Sequence, residues 1–299
     1  MKIAIVGIGR VGTAVAFALV MRNATQELIL IGRDHRKSEG EALDLQHAAA
    51  LTGRTSVRAG DIADVVGCDI VIVSASVRDL SANRLDALKG NVEIFSDLVP
   101  KIARLAQNAI ILVLSNPVDA MTYLSLKLSH FPAERVIGTG TLIDTGRFRS
   151  ILSDAWRINT ADVRAYILGE HGDSQFPALS VASAGGVRFD EQDQFVVDAA
   201  RIAREAGGTV VSRKGFTNYA IASATIMLVE AIAGDTHVVL PVSTLIDGYL
   251  GVKDVCLSVP CVVGRVGVVR MLPVDLDEEE ANAFRNSAQI LRSAISSVS

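Results

Sequence analysis

The sequence predicts an α/β protein, with a doubly wound parallel sheet in its first half and a mixed α+β second half. Three observations predict this. Short, continuous apolar runs alternate with longer amphipathic stretches up to about Gly140. A glycine-rich turn, Gly7-Ile8-Gly9-Arg10-Val11-Gly12, joins the first run to the first amphipathic stretch. Beyond Gly140 the alternation gives way to long helical stretches and apolar stretches that read as antiparallel strands.

The apolar runs are residues 3–6, 28–31, 70–74 and 110–114. Runs of this length without polar alternation suit strands covered on both faces, as a parallel sheet demands. Residues 11–21, 38–50, 85–107 and 118–128 lie between and after them with helical patterning, and strand–helix alternation is the mark of a doubly wound sheet. Residues 141–156 read as a further helix and 163–168 as a strand. Residues 179–184 and 187–189, parted by Gly185-Gly186, predict a hairpin. Helices are expected over 196–211 and 218–233, antiparallel strands over 238–245 and 259–263, and a closing helix over 277–297. The change of pattern divides the chain into residues 1–140 and 141–299.

Composition narrows the function. The 299 residues are 49% hydrophobic and 21% charged, which is globular and sufficient for two units sharing an interface. A net charge of -4 with scattered lysine and arginine gives no footprint for nucleic acid or an anionic membrane. The apolar opening stretch is broken by Arg10, Thr13 and three glycines, so it is not read as a membrane span. Met1-Lys2 leads directly into the first strand pattern, with no charged leader ahead of it, and the expected location is the cytoplasm. Cys68, Cys256 and Cys261 form no C-x-x-C pair and read as small buried hydrophobes of a reducing compartment, not as a metal site.

Gly7-x-Gly9-x-x-Gly12 follows a strand and opens a helix, the setting in which this spacing cradles a dinucleotide pyrophosphate. Gly7 serves the turn, Gly9 the close approach of backbone to phosphate, and Gly12 the packing of helix on strand. An acid that binds the adenosine ribose is expected after the second strand. Gly32 stands there instead, followed by Arg33 and Asp34. A glycine leaves room and an arginine can pair with a 2′-phosphate. Asp34 can still reach a hydroxyl, or simply be a solvated loop charge.

Of the five histidines, His171 stands out, set between Gly169 and Gly172 where the backbone is being shaped. The others, His35, His47, His130 and His237, lie in charged or loop surroundings. Imidazole titrates near neutrality and suits proton exchange. Asp144 and Arg147 share a helix face, either as a plain ion pair or as a carboxylate that orients a histidine beside a guanidinium that grips a substrate carboxylate. Asn116-Pro117 closes a strand at the carboxyl edge, where ligands bind in such sheets. Arg78 and Arg84 flank a polar loop that reads as a lid or as ordinary surface.

The order of these segments resembles the lactate/malate dehydrogenase family over nearly the whole chain. The resemblance rests on Gly7-x-Gly9-x-x-Gly12, the run from Ser115 to Asp119, the run from Gly138 to Arg147, and Gly169-Glu170-His171-Gly172-Asp173-Ser174. The runs from Lys214 to Ile221 and from Leu257 to Cys261 match as well. It implies a Rossmann domain over residues 1–140, a catalytic domain over 141–299, and a homodimer or homotetramer. It further implies that His171 is the acid/base with Asp144 as its partner, that Arg147 grips the substrate carboxylate, and that Arg84 polarises the carbonyl. Asn116 would contact substrate and cofactor, Thr217 the substrate, and Ile221 the nicotinamide. No metal is implied.

Two departures bear on specificity. Gly32 in place of the ribose-binding acid opens the choice between NAD and NADP. The segment between Ala75 and Arg84 is one residue shorter than usual, leaving Arg78, Asp79 or Leu80 to face the substrate side chain. The run from Phe216 to Ile221 favours lactate/pyruvate, whereas Arg78 favours malate/oxaloacetate, which is the alternative. NAD-dependent glycosidases share the fold but need a longer chain and a metal site, and a non-catalytic sensor would not need every site position filled. Bacterial lactate dehydrogenases bind a sugar bisphosphate on a basic pair between subunits. Arg149 and Arg164 occupy the matching positions, either for that purpose or as ordinary surface ion pairs.

Overall fold

The first two strands set the frame: β1 (Lys2–Val6) and β2 (Glu27–Ile31) pair in parallel, with Ile3, Ile5, Leu28 and Leu30 fully buried. The computed structural model describes residues 1–77, 84–190 and 192–298, with the backbone alone of residues 84–87. β3 (Ser56–Ala59), β4 (Ile70–Val73), β5 (Ile110–Val113) and β6 (Val136–Gly138) complete the parallel part. Their order is β3-β2-β1-β4-β5-β6, the dinucleotide-binding arrangement expected of a Rossmann sheet. The helices between them are α1 (Arg10–Met21), α2 (His35–Thr52), α3 (Arg84–Leu105) and α4 (Val118–Ser129).

The four apolar runs became strands to within a residue. β3 and β6 were missed: β3 lies at the sheet edge with an exposed serine and a half-buried arginine, and β6 is three residues long. Neither leaves a continuous apolar run of useful length.

The second half opens with α5 (Leu142–Trp156). The expected strand at 163–168 divides into β7 (Val163–Arg164) and β8 (Ile167–Leu168), which join different small sheets. β8 pairs with β9 (Phe176–Pro177). β10 (Ser183–Ala184) and β11 (Val187–Arg188) form the expected hairpin, much shortened. Its turn, Gly185-Gly186, has φ of +56° and +89°, which two glycines adopt without strain. Leu179–Val181 makes a 3-10 turn instead of extending the strand.

α6 (Gln194–Lys214) and α7 (Tyr219–Gly234) follow, then β12 (Val238–Asp247), β13 (Lys253–Gly264), β14 (Gly267–Met271) and α8 (Glu278–Ser296). β12 and β13 pair antiparallel as expected, and β14 adds an edge the sequence reading missed. These strands do not form a layer of their own. β12 pairs with β6 through Ser243 and Gly138, so one nine-stranded sheet runs through both halves. A second apolar cluster, including Phe148, Leu152, Val163 and Phe189, packs where α5 and α6 meet the short strands. The three cysteines are buried and unpaired, and burial pushes the thiols of Cys68 and Cys261 up to about 11 and about 12. Among the described residues no helix is long and apolar enough to cross a membrane.

Candidate active site

The carboxyl ends of β1, β2, β4, β5 and β6 point to one edge, and the candidate residues gather along it. At β1 the three glycines behave as the motif requires. A Cβ on Gly7 would sit 2.4 Å from Ala75 N, and one on Gly12 would sit 2.0 Å from Gly7 O. Gly9 differs: nothing lies within 4 Å of the place a Cβ would take. It is also the N-cap of α1 and offers no side-chain cap, so the helix presents uncapped N–H groups to an open cradle. These residues fit a dinucleotide pyrophosphate.

At β2, Gly32 has a different neighbour from the one expected. A Cβ there would lie 2.5 Å from Ser38 Oγ, and Ser38 is buried in α2. Arg33 is exposed. Asp34 caps α2, one carboxylate oxygen accepting from the Lys37 amide at 3.2 Å, so it has a structural task beside any contact with a ribose.

His171 reaches the edge through a loop held from three sides. Gly169, at φ +87°, exchanges backbone hydrogen bonds with Ser258 of β13 at 3.1 and 2.9 Å. Ser287 of α8 donates to Ser174 O at 2.8 Å. The His171 amide donates to Asp119 Oδ2, in the first turn of α4, at 2.7 Å. Asp119 was absent from the sequence candidates, although it lies in the run from Ser115 to Asp119. It is buried, and desolvation pushes its carboxyl up to about 6, while the bond from the His171 amide pulls the other way.

The imidazole meets α5. His171 Nδ1 lies 2.7 Å from Asp144 Oδ2, and Arg147 Nη1 donates to Asp144 Oδ1 at 3.0 Å. One buried carboxylate thus contacts both groups: the ion pair is present, and the same carboxylate also engages the histidine. Burial alone would lower the His171 pKa, but the Asp144 carboxylate outweighs it and holds the imidazole above its ordinary value. Burial alone would raise Asp144. The His171 bond and the Arg147 charge bring it below the usual carboxylate value instead. The other four histidines are exposed. Gly207 of α6 was also not foreseen: a Cβ there would lie 3.4 Å from Arg147 Nη1.

Asn116 is exposed at the end of β5, with its carbonyl accepting from Asn91 Nδ2 at 2.7 Å. Thr217 is half-buried in the loop between α6 and α7, and Ile221 is buried in the first turn of α7. The Arg10 guanidinium lies 4.4 Å from the Phe216 ring centroid, which brings the glycine-rich turn beside the Thr217 loop. Arg78 lies outside the described residues, as does the side chain of Arg84, whose backbone begins α3. Among the described residues Arg149 makes no ion pair. Its Nε donates to Ala165 O at 2.8 Å, it lies over the Tyr166 ring, and burial lowers its pKa. Arg164 is exposed on β7.

Comparison with known proteins covers the full length of the chain. Residues 1–138 match the lactate/malate dehydrogenase NAD binding domain, and residues 141–299 match the family's alpha/beta C-terminal domain. An L-lactate dehydrogenase of Clostridium botulinum is 38% identical over 308 residues, covering 100% of this chain and 97% of the relative. One from Gloeobacter violaceus is 40% identical over 307 residues, covering 99% and 93%. The ligand-bound minor L-lactate dehydrogenase of Enterococcus mundtii superposes with a TM-score of 0.96 at 34% identity, covering 100% of this chain and 98% of that one. The two domain models together cover nearly the whole chain, and the chain belongs to the lactate/malate dehydrogenase family.

Proposed function

We propose that this enzyme interconverts L-lactate and pyruvate with a nicotinamide cofactor. The observation that carries the reading is Asp144, which holds His171 and Arg147 together at the edge where the uncapped start of α1 lies open. With Nδ1 engaged by Asp144, the His171 nitrogen that exchanges a proton with the substrate oxygen is Nε2. The donors of Arg147 not engaged by Asp144 serve to pair with the substrate carboxylate and fix its orientation. Asn116 and Arg84 are read as the contacts to the reacting carbonyl, and Ile221 as the apolar wall behind the nicotinamide. Gly7, Gly9 and Gly12 hold the pyrophosphate, and the bound cofactor supplies or accepts hydride at its nicotinamide ring.

NAD is the cofactor of the family domain that the chain matches. The reading extends to NADP, because Gly32 carries no carboxylate to repel a 2′-phosphate and Arg33 is free to approach one. The assembly is read as a homo-oligomer in the cytoplasm. Phe17 of α1, Leu43 and Leu51 of α2 and Tyr219 of α7 are apolar side chains exposed in the single chain. Arg149 and Arg164 remain the candidates for an anionic effector at such an interface.

A panel of 2-oxo acids assayed with both cofactors tests the substrate. Pyruvate is expected to give the highest kcat/KM. An advantage of orders of magnitude for oxaloacetate, abolished by Arg78→Gln, would move the assignment to malate.

A further inference from the structure

We propose that Asn91 is a positioning residue that sets Asn116 for the substrate, a reading that rests on the function proposed above. Asn91 lies on α3, is 1% exposed, and its side-chain amide joins two backbone groups on neighbouring strand exits. Its Oδ1 accepts from Val77 N at 2.9 Å, beyond the end of β4, and its Nδ2 donates to Asn116 O at 2.7 Å, beyond the end of β5.

The two partners fix the amide in one sense. Turned over, it would set NH2 against an N–H and C=O against a C=O. No other side chain of this size supplies one neutral donor and one neutral acceptor in this way, save for an overpacked glutamine. A second bond runs parallel to it, from Ser115 Oγ to Ala75 O at 2.6 Å. Gly90 completes the seat: a Cβ there would lie 2.5 Å from Val77 Cγ1, so the glycine lets Val77 lie against α3. The backbone of Asn116, exposed and at the carboxyl edge, is therefore held through its own carbonyl by a buried side chain that does not face the substrate.

The consequence concerns geometry rather than chemistry. Asn91 leaves the Asp144–His171 pair untouched, so its loss displaces Asn116 without moving the proton-exchanging group. The glycine-rich turn is anchored elsewhere, by Ser74 Oγ on Gly7 O at 2.7 Å. Cofactor binding is expected to stay within about twofold of wild type, while kcat/KM for pyruvate falls by about tenfold or more.

A double-mutant cycle in the full-length enzyme tests this, with Asn91→Ala, Asn116→Ala and the pair, each measured for pyruvate kcat/KM, its pH profile and NADH affinity. Asn91→Asp replaces Asn91→Ala if the latter does not fold, since it keeps the acceptor for Val77 N and sets a carboxylate oxygen, in place of a donor, against the Asn116 carbonyl. The expected result is a loss in each single variant, an unchanged pH profile, and little further loss in the pair, because both act through one group. Losses that multiply in the pair, or an Asn91 variant with wild-type kcat/KM, overturn the positioning role while the function stands. Wild-type kcat/KM in Asn116→Ala, or a wild type inert toward pyruvate and lactate, overturns the site reading and this proposal with it.

Discussion

Asp144 Oδ2 lies 2.7 Å from His171 Nδ1, and this contact raises the proton affinity of the imidazole. The carboxylate is 2% exposed, so little solvent screens it. The sign follows from the raised His171 pKa. Reduction of a 2-oxo acid needs the protonated imidazole and falls as pH rises through that pKa, whereas oxidation of the hydroxy acid rises there. Asp144→Asn removes the raising charge. The limb is expected to move to lower pH, and kcat for pyruvate reduction at neutral pH to fall by at least about tenfold. A pH–rate profile in both directions checks it, and an unmoved limb contradicts it.

Asp119 supports the same histidine from its backbone side. Asp119→Ala leaves the His171 amide without its acceptor and is expected to destabilise the fold by about 1–3 kcal/mol. Asp119→Asn keeps an acceptor of the same shape and should lose much less. Its charge also helps to raise the His171 pKa, so the Asn variant should shift the pH limb downward by less than Asp144→Asn does. Denaturant unfolding and the two pH profiles separate these effects.

Much of the fold was legible because burial on both faces leaves a plain trace. Ile70–Val73 and Ile110–Val113 are wholly apolar and wholly buried, and both read as strands at once. Val136–Gly138 is just as buried, but three residues carry no period, and its place depends on Ser243 far along the chain. The site divides the same way. His171, Asp144 and Arg147 stand out as candidates by residue type and spacing, and the resemblance to the family supplied their expected roles. Asn91 and Asp119 do not, because what distinguishes them is a partner 25 or 52 residues away. Gly32 was read as free space, whereas Ser38 Oγ occupies the spot beside it.

That neighbour bears on the cofactor. Wild-type enzyme is expected to use NADPH at least as well as NADH. Gly32→Asp should shift the kcat/KM ratio toward NADH by about tenfold or more, since a carboxylate repels the 2′-phosphate. Because the new Cβ would press on Ser38 Oγ, a small loss of Tm should accompany the shift. A strong NADH preference in the wild type would refute the extension to NADP.

Gly207 faces the Arg147 guanidinium from the interior of α6. Gly207→Ala should stabilise the helix by about 0.5–1 kcal/mol. Gly207→Leu, by contrast, should crowd the guanidinium and raise KM for pyruvate several-fold, with a smaller change in the NADH Kd. Thermal unfolding and steady-state kinetics check the two halves of this prediction, and an unchanged KM in the leucine variant would count against it.

The assignment of proton exchange to His171 is tested most directly by its removal. Turnover of pyruvate by His171→Ala should be measured beside wild type, with NADH binding followed separately by fluorescence. The wild type is expected to reduce pyruvate, and the variant to bind NADH normally while losing on the order of a hundredfold or more in kcat. Near-normal turnover by the variant would contradict the account.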